Sequence, residues 1–303
     1  MSDSIQYSVV IATKARGSFL IDTVNDLLSQ SRRPEKIVII DSIEDPSGEP
    51  TIERLPVDRA LVEYHSTAIE SAAMQRNYGA EFVDTSLICF LDDDVRLPKN
   101  HFEQLLKSWE ISENVVAMSA RIDGLSHRRP EALLKAYYRF QAGYAHSDYG
   151  AKVIGPAINF VPTYDGGESM ISSEWLNSTC LLVRTEVFRK EWFPDFEGYS
   201  WGEDVHLTTR LRQYGSLYFE NTSTYTHLSP SDSGKRDLRK MAHMQFTNQY
   251  RISVDCLGRD SAWALRRLWI HLNFNLISMI RNGNSSWLAF YQGGKIALSE
   301  VSK

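Results

Sequence analysis

The sequence is short of several things, and each shortage excludes a class of protein. Of 303 residues three are cysteine, Cys89, Cys180 and Cys256. At that spacing they make neither a disulfide framework nor a thiolate metal site. Long hydrophobic runs are missing too. The longest uncharged, apolar-leaning stretch, Leu268 to Ile280, has 13 residues and contains His271, Asn273 and Asn275. It is too short and too polar to span a bilayer. The opening, MSDSIQYSVVIATKARGSF, has an acidic residue at its head and an apolar run too short for a secretory leader. Positive charge is not in excess: the formal net charge is -5 and the pI about 5.9, which argues against nucleic-acid binding. No G-x-G-x-x-G follows the first apolar run and no G-x-x-x-x-G-K-[ST] occurs anywhere. A dinucleotide fold and a P-loop are therefore poor fits. Internal repeats and low-complexity segments are absent. The expectation is a soluble, reduced, cytoplasmic protein.

What is present is ordinary in amount and uneven in arrangement. With 43% apolar and 23% charged residues, the chain can bury a sizeable core as one large domain or two. From Thr226 to Lys303 there are 11 Lys and Arg against 5 Asp and Glu, while residues 1–225 hold 22 against 33. An acidic body with a basic tail suits a tail that meets an anionic membrane surface, or one that docks on the body itself.

The first half alternates short apolar runs with helical patterns. Ser8 to Ala12 reads as a buried strand. Leu20, Val24, Leu27 and Leu28 share one face of a helix that ends between Ser31 and Pro34. Lys36 to Ile40 is a second strand, closed by Asp41 and the turn Asp45-Pro46-Ser47-Gly48. Leu61 to His65 is a weaker third, followed by a helix from about Ala68 to Phe82. Ser86 to Leu91 forms a fourth strand that runs into Asp92-Asp93-Asp94. Beyond Pro98, Phe102, Leu105, Leu106 and Trp109 mark another one-sided helix. This alternation predicts a mainly parallel α/β sheet with helices on both faces. Ligands then sit beyond the carboxyl ends of the strands, where Asp41 and the aspartate run lie. Residues 125–175 show no period and receive no assignment. From about Ser233 the pattern is helical, broken near Gly258 and Gly283.

Three aspartates in a row repel one another unless a cation joins them. A divalent metal on phosphate oxygens is the usual solution, and a solvated acidic turn is the alternative. Tyr199-Ser200-Trp201-Gly202-Glu203-Asp204 puts two carboxylates at the start of a helical pattern, just after aromatic and glycine residues. They can be an N-terminal cap, or a general base facing a sugar hydroxyl with aromatics against the ring. His227 follows a strand-like run, Ser216 to Tyr225, and can be structural or a ligand. Arg76 and Asn77 can be surface residues or face a diphosphate.

Taken in order, SVVIATKAR, KIVIIDSIEDPSG, SAAMQRNYGA, FLDDDVRLP, EWLNSTCLLVRTEVF and GYSWGEDVHLTTRLRQYG resemble glycosyltransferase family 2 over residues 7 to about 227. The resemblance implies a GT-A fold (nucleotide-diphospho-sugar transferase fold) and inverting transfer from a nucleotide-diphosphate sugar. It implies that Thr13, Arg16, Asp41, Arg76, Asp92 and Asp93 bind the donor. Asp94, Asp92 and His227 then hold Mg²⁺ or Mn²⁺, and Asp204 is the catalytic base. Tyr199, Trp201 and Glu203 face the acceptor, a carbohydrate or a lipid-linked molecule. Two departures stand out: Lys14-Ala15 replaces the usual Tyr-Asn, and His206 stands where an acidic residue is common.

The reading is thus a hexosyltransferase-type enzyme of surface-polysaccharide or glycoconjugate synthesis. It has a catalytic domain at 1–228 and a basic helical extension at 229–303. The rivals are a nucleotidyltransferase on the same class of sheet and a non-catalytic sugar-binding protein. In the extension, Trp263, Trp269, Phe274 and Ile277 share a segment with Arg259, Arg266, Arg267 and Arg281. That pattern suits a helix lying on the cytoplasmic face of an anionic membrane, or one packed on the catalytic domain or on a second subunit as a homodimer.

Overall fold

The computed structural model describes residues 5–14, 17–42, 60–164, 167–196, 201–228 and 237–303. Strands β1 (Tyr7–Thr13), β2 (Lys36–Ser42), β3 (Val62–Thr67) and β4 (Leu87–Asp92) pair in parallel in the order β3-β2-β1-β4. Along these strands successive side chains enter opposite layers. Val9, Ile11, Ile37, Ile39, Cys89 and Leu91 join one apolar cluster; Val10, Val38, Ile40, Ile88 and Phe90 join the other. Both faces are covered, which is why these runs lack polar alternation.

Helices α1 (Gly17–Leu28) and α3 (His101–Glu110) close the first face through Leu20, Val24, Phe102, Leu105 and Trp109. The second face is closed by α2 (Ala72–Ala80), by the short α5 (Thr185–Phe188) and by α6 (Glu203–Leu211). Helix α2 starts at Ala72, later than the expected Ala68. The Thr67 hydroxyl accepts from Ile69 N at 3.1 Å, and Ser71 caps the helix by accepting from Met74 N; both bonds compete with helix before that point. Gly79 lets α2 lie directly on the sheet, because a Cβ there would sit 2.5 Å from Val10 Cγ1. Replacing Gly79 by Ala is expected to lower stability by about 1–3 kcal/mol through overpacking. Urea denaturation reads this as a lower midpoint at unchanged slope, and an unchanged midpoint would mean that Val10 rotates away.

The remaining strands complete a mixed sheet. Short β5 (Val95–Arg96) precedes α3, and β6 (Val115–Ile122) follows it. Strand β10 (Cys180–Arg184) runs antiparallel between β4 and β6, and β11 (Ser216–His227) runs parallel to β6. The unassigned region 125–175 contains α4 (Ala132–Ala142), the two-residue strands β7 (Val153–Ile154) and β8 (Ile158–Asn159), and β9 (Met170–Ser172). Strands this short carry no readable period, and Tyr149, Ala151 and Ala157 adopt positive φ without being glycine.

Helix α7 (Leu238–Arg251) is capped by Asp237. It passes through a π-helical turn, Ile252–Cys256, and α8 (Ser261–Arg281) and α9 (Trp287–Glu300) follow. The breaks fall at Gly258 and Gly283, both at positive φ, where the sequence places them. Among the described residues no helix is long and apolar enough to cross a membrane.

Candidate active site

Register brings the strand-end residues level with one another. Thr13 on β1 lies opposite Asp41 on β2, and Ala12 lies opposite Asp92 on β4. All sit at the carboxyl edge of the parallel strands, as expected for a ligand site in such a sheet. Gln75 on α2 ties this edge together by donating to Thr13 O at 2.9 Å and Ile40 O at 3.1 Å. Tyr64 on β3 donates to Asp41 Oδ2 at 2.7 Å and so orients that carboxylate.

The three consecutive aspartates point in different directions. Asp93 is buried and accepts from the Thr13 hydroxyl at 2.5 Å. Its carbonyl, and that of Val95, accept from Thr23 on α1. Asp92 Oδ1 meets Arg76 Nη2 at 2.7 Å. Asp94 Oδ1 lies 3.1 Å from His227 Nε2, which is 3.9 Å from Asp92 Oδ2. His227 arrives there because the end of β11 pairs with β5, His227 opposite Val95. A bulge between Glu220 and Thr224 sets that register. Within it the buried Glu220 carboxylate accepts from Ser108, from the amide and hydroxyl of Thr222 and from Ser223 N. One ligand atom each from Asp92, Asp94 and His227 lies within 4.8 Å of the others. Two carboxylates and an imidazole form a donor set that suits a small divalent cation, the nitrogen favouring Mn²⁺ over Mg²⁺.

Arg76 links this edge to the Glu-Asp pair. Its side chain is only 6% exposed, and Nη1 lies 3.4 Å from Glu203 Oε1. Its guanidinium also sits over the Phe193 ring. Asn77 does not face the site. It exchanges two hydrogen bonds with the main chain of Phe193, at 2.9 and 3.0 Å, and so fixes the segment beneath Arg76.

Gly202, at φ +82, caps α6, which opens with Glu203 and Asp204. Asp204 Oδ1 accepts from Val205 N at 2.7 Å. Burial raises the pKa of both carboxyls, and Arg76 opposes the rise. His206 is pushed down to about 4 by burial and by Arg210, so it is neutral at neutral pH. The Trp201 carbonyl accepts from Asn248 Nδ2 of α7 at 2.8 Å, and Val205 packs against Ile252 of the π-helical turn.

The structure thus brings together Thr13, Asp41, Arg76, Asp92, Asp93, Asp94 and His227, with Glu203 reached through Arg76 and Asp204 beside it. Arg16 and Tyr199 lie outside the described residues. Sequence reasoning missed Tyr64, Gln75, Glu220 and Asn248. Only Gln75, next to Arg76 in SAAMQRNYGA, stood inside a quoted motif.

Residues 8–164 match the model for glycosyl transferase family 2. No curated protein matches. Among solved structures, residues 1–349 of TarS from S. aureus align with TM-score 0.52 and 15% identity, covering 86% of this chain and 68% of that one. The structure titled GalNAc-T7 with UDP, GalNAc and Mn²⁺ aligns with TM-score 0.58 and 15% identity, covering 88% of this chain and 57% of that one. A second S. aureus TarS structure gives 0.53 and 12%, and this chain spans only 44% of it. These likenesses establish the shared fold.

Proposed function

The chain belongs to glycosyl transferase family 2, and on that premise we propose that it moves a sugar from a nucleoside-diphosphate donor to an acceptor hydroxyl with inversion at the anomeric carbon. The observation that carries this reading is the bridge through Arg76. It joins a carboxylate edge able to hold a diphosphate and its counter-ion to a pair of acids at a helix start.

In the proposed reaction Thr13, Arg16 and Asp41 hold the nucleoside, Asp41 in the orientation Tyr64 imposes. Asp94, Asp92 and His227 would hold a Mg²⁺ or Mn²⁺, which would supply positive charge against the departing diphosphate. Arg76 holds Asp92 Oδ1 at 2.7 Å and so fixes how that carboxylate is turned. Asp204, one oxygen held by Val205 N, takes the proton of the acceptor hydroxyl with the other. The hydroxyl oxygen attacks the anomeric carbon as the bond to phosphate breaks, and its electron pair leaves on the nucleoside diphosphate. The acceptor is assigned to Trp201, Tyr199 and Glu203, of which Trp201 and Glu203 flank the helix start in the structure. The acceptor class is a carbohydrate or a lipid-linked molecule, in surface-polysaccharide or glycoconjugate synthesis. Residues 1–228 form the catalytic unit and 229–303 an extension that braces it, Asn248 holding the Trp201 loop.

The deciding experiment incubates the protein with Mn²⁺, a sugar acceptor and UDP-, dTDP- or GDP-sugars. Released nucleoside diphosphate and an inverted product support the reading. Pyrophosphate release would point to a nucleotidyltransferase, and a retained anomer would remove the single-displacement step. The pH profile gives a further check. Burial raises the Asp204 pKa above the ordinary carboxylate value, so the group stays protonated, and inactive as a base, until the pH passes that raised value. The acid limb of kcat is expected near pH 6, rising with pH; a limb near 4 would contradict the burial of this group.

A further inference from the structure

Of the ten exposed large apolar side chains among the described residues, seven lie between Leu133 and Tyr144 or between Ile270 and Leu288. Leu133 is 71% exposed and Phe140 49%; Ile277 is 58% and Ile280 51%. Helices α4 and α8 pack side by side. Tyr137 stacks on Phe274 at 3.8 Å between ring centroids, and the Tyr137 hydroxyl lies 2.7 Å from His271 Nδ1. Arg267 lies over the Phe140 ring at 3.9 Å. The helices therefore run antiparallel, with Phe140 level with Arg267 and Leu133 toward Ile277. On α8, the buried Ala264, Leu268 and Leu272 face inward, and the three- and four-residue spacing turns Ile270 and Ile277 outward beside α4. On α4, Leu133 and Phe140 share the outward face by the same spacing. The result is an apolar ridge shared by two helices 120 residues apart in sequence.

The ridge is basic as well as apolar. Residues 128–144 and 259–281 together contain eight Lys and Arg against two acidic residues, in a chain whose net charge is -5. Lys135, Arg139, Arg266 and Arg281 are all exposed. Arg267 and Arg259 lie against the rings of Phe140 and Trp263. Aromatic and aliphatic side chains inserted between cations match a surface that is anionic outside and hydrocarbon beneath. An aqueous protein partner would give exposed isoleucines less reason to be ringed by one sign of charge.

We propose that the outward face of α4 and α8 docks on an anionic lipid bilayer, Leu133, Phe140, Ile270 and Ile277 entering the headgroup boundary while Lys135, Arg139, Arg266 and Arg281 meet lipid phosphates. The contact is peripheral, since no described helix can cross a membrane. It needs α4 as much as the C-terminal helices, so it belongs to the folded body rather than to a tail. It goes beyond the transfer reading and does not depend on it.

The test is co-sedimentation of the full chain with vesicles of phosphatidylcholine alone, or of phosphatidylcholine and phosphatidylglycerol in equal parts. Binding is expected to the mixed vesicles only, and to fall away at about 1 M salt, where the Debye length is about 3 Å. The pair Arg139→Glu and Arg266→Glu should lower the partition coefficient about tenfold or more, at roughly a factor of five per charge near the surface. The pair Phe140→Ser and Ile277→Ser should lower it with the charges intact. All four side chains are exposed, though Phe140→Ser also gives up the contact with Arg267, so thermal melts of every variant are compared with the parent and only variants that melt like it are scored. Failure of the parent to sediment with mixed vesicles overturns the proposal. So does binding untouched by both variant pairs. A concentration-dependent dimer in light scattering that Phe140→Ser and Ile277→Ser abolish would reassign the face to a second copy of the chain.

Discussion

Asp204→Asn should lower kcat by about 10³-fold, roughly 4 kcal/mol in the barrier, while donor affinity changes by less than about twofold. The substitution is close to isosteric, and the asparagine oxygen can still accept from Val205 N as the carboxylate does at 2.7 Å. This hydrogen bond in the first turn of α6 therefore survives, and only the capacity to take a proton is lost. Stability should hold or rise slightly, because burial already disfavours the charged carboxylate. Three readouts separate the explanations: kcat with the sugar acceptor of the transfer assay, donor affinity by titration, and the melting temperature. Full turnover in Asp204→Asn would exclude it as the base. If Glu203→Gln shows the greater loss of kcat at unchanged melting temperature, the two acids exchange roles. That alternative is open because Glu203 also has a raised pKa and sits against Arg76.

Asp94→Ala should abolish the part of donor binding that needs a divalent ion. A ligand at a hundredfold excess over its dissociation constant stabilises the folded state by about 2.7 kcal/mol. For a chain of this size that is a melting shift of several degrees. In the parent protein UDP, dTDP or GDP should produce such a shift only with Mn²⁺ or Mg²⁺ present. In Asp94→Ala the shift with metal should shrink to that without it, because one of three donor atoms within 4.8 Å is gone and His227 loses its nearer carboxylate. Asp93→Ala is the comparison. The Asp93 carboxylate is taken up by Thr13, so its loss should lower the baseline melting temperature and leave the metal dependence in place. Equal metal dependence in the parent and in Asp94→Ala would remove the aspartate run from cation binding.

Much of the architecture could be read from residue order, and the reasons are local. Buried parallel strands such as Val9 to Ile11 and Ile37 to Ile40 announce themselves as apolar runs because both faces are covered. The one-sided helices α1 and α3 show the 3.6-residue period of a face laid on a sheet. Strand ends close with aspartates, so the edge holding Asp41 and Asp92 to Asp94 was legible as well. Region 125–175 was not. Its strands are two or three residues long, and its turns use positive φ at Tyr149, Ala151 and Ala157, which no composition rule marks.

The chemistry of the site divides in the same way. Residue type and position in the chain marked Asp92, Asp94, Glu203, Asp204 and Arg76 as candidates, each with a structural alternative beside it, and only the resemblance to the family chose between them. Which aspartate is left to His227 and Arg76 was decided only by tertiary contacts. Asp93 lies between two candidate ligands in sequence, yet Thr13, 80 residues away, takes its carboxylate. Asn77 stands beside Arg76, yet its partners are main-chain atoms of Phe193. His227 reaches Asp94 because Glu220 holds a bulge in β11 and the strand end pairs with β5. Strand order and local periodicity follow from short-range propensity and burial, which a sequence displays directly. Side-chain direction at the site depends on register and packing between segments about 80 to 150 residues apart, and those are set only when the whole sheet has closed.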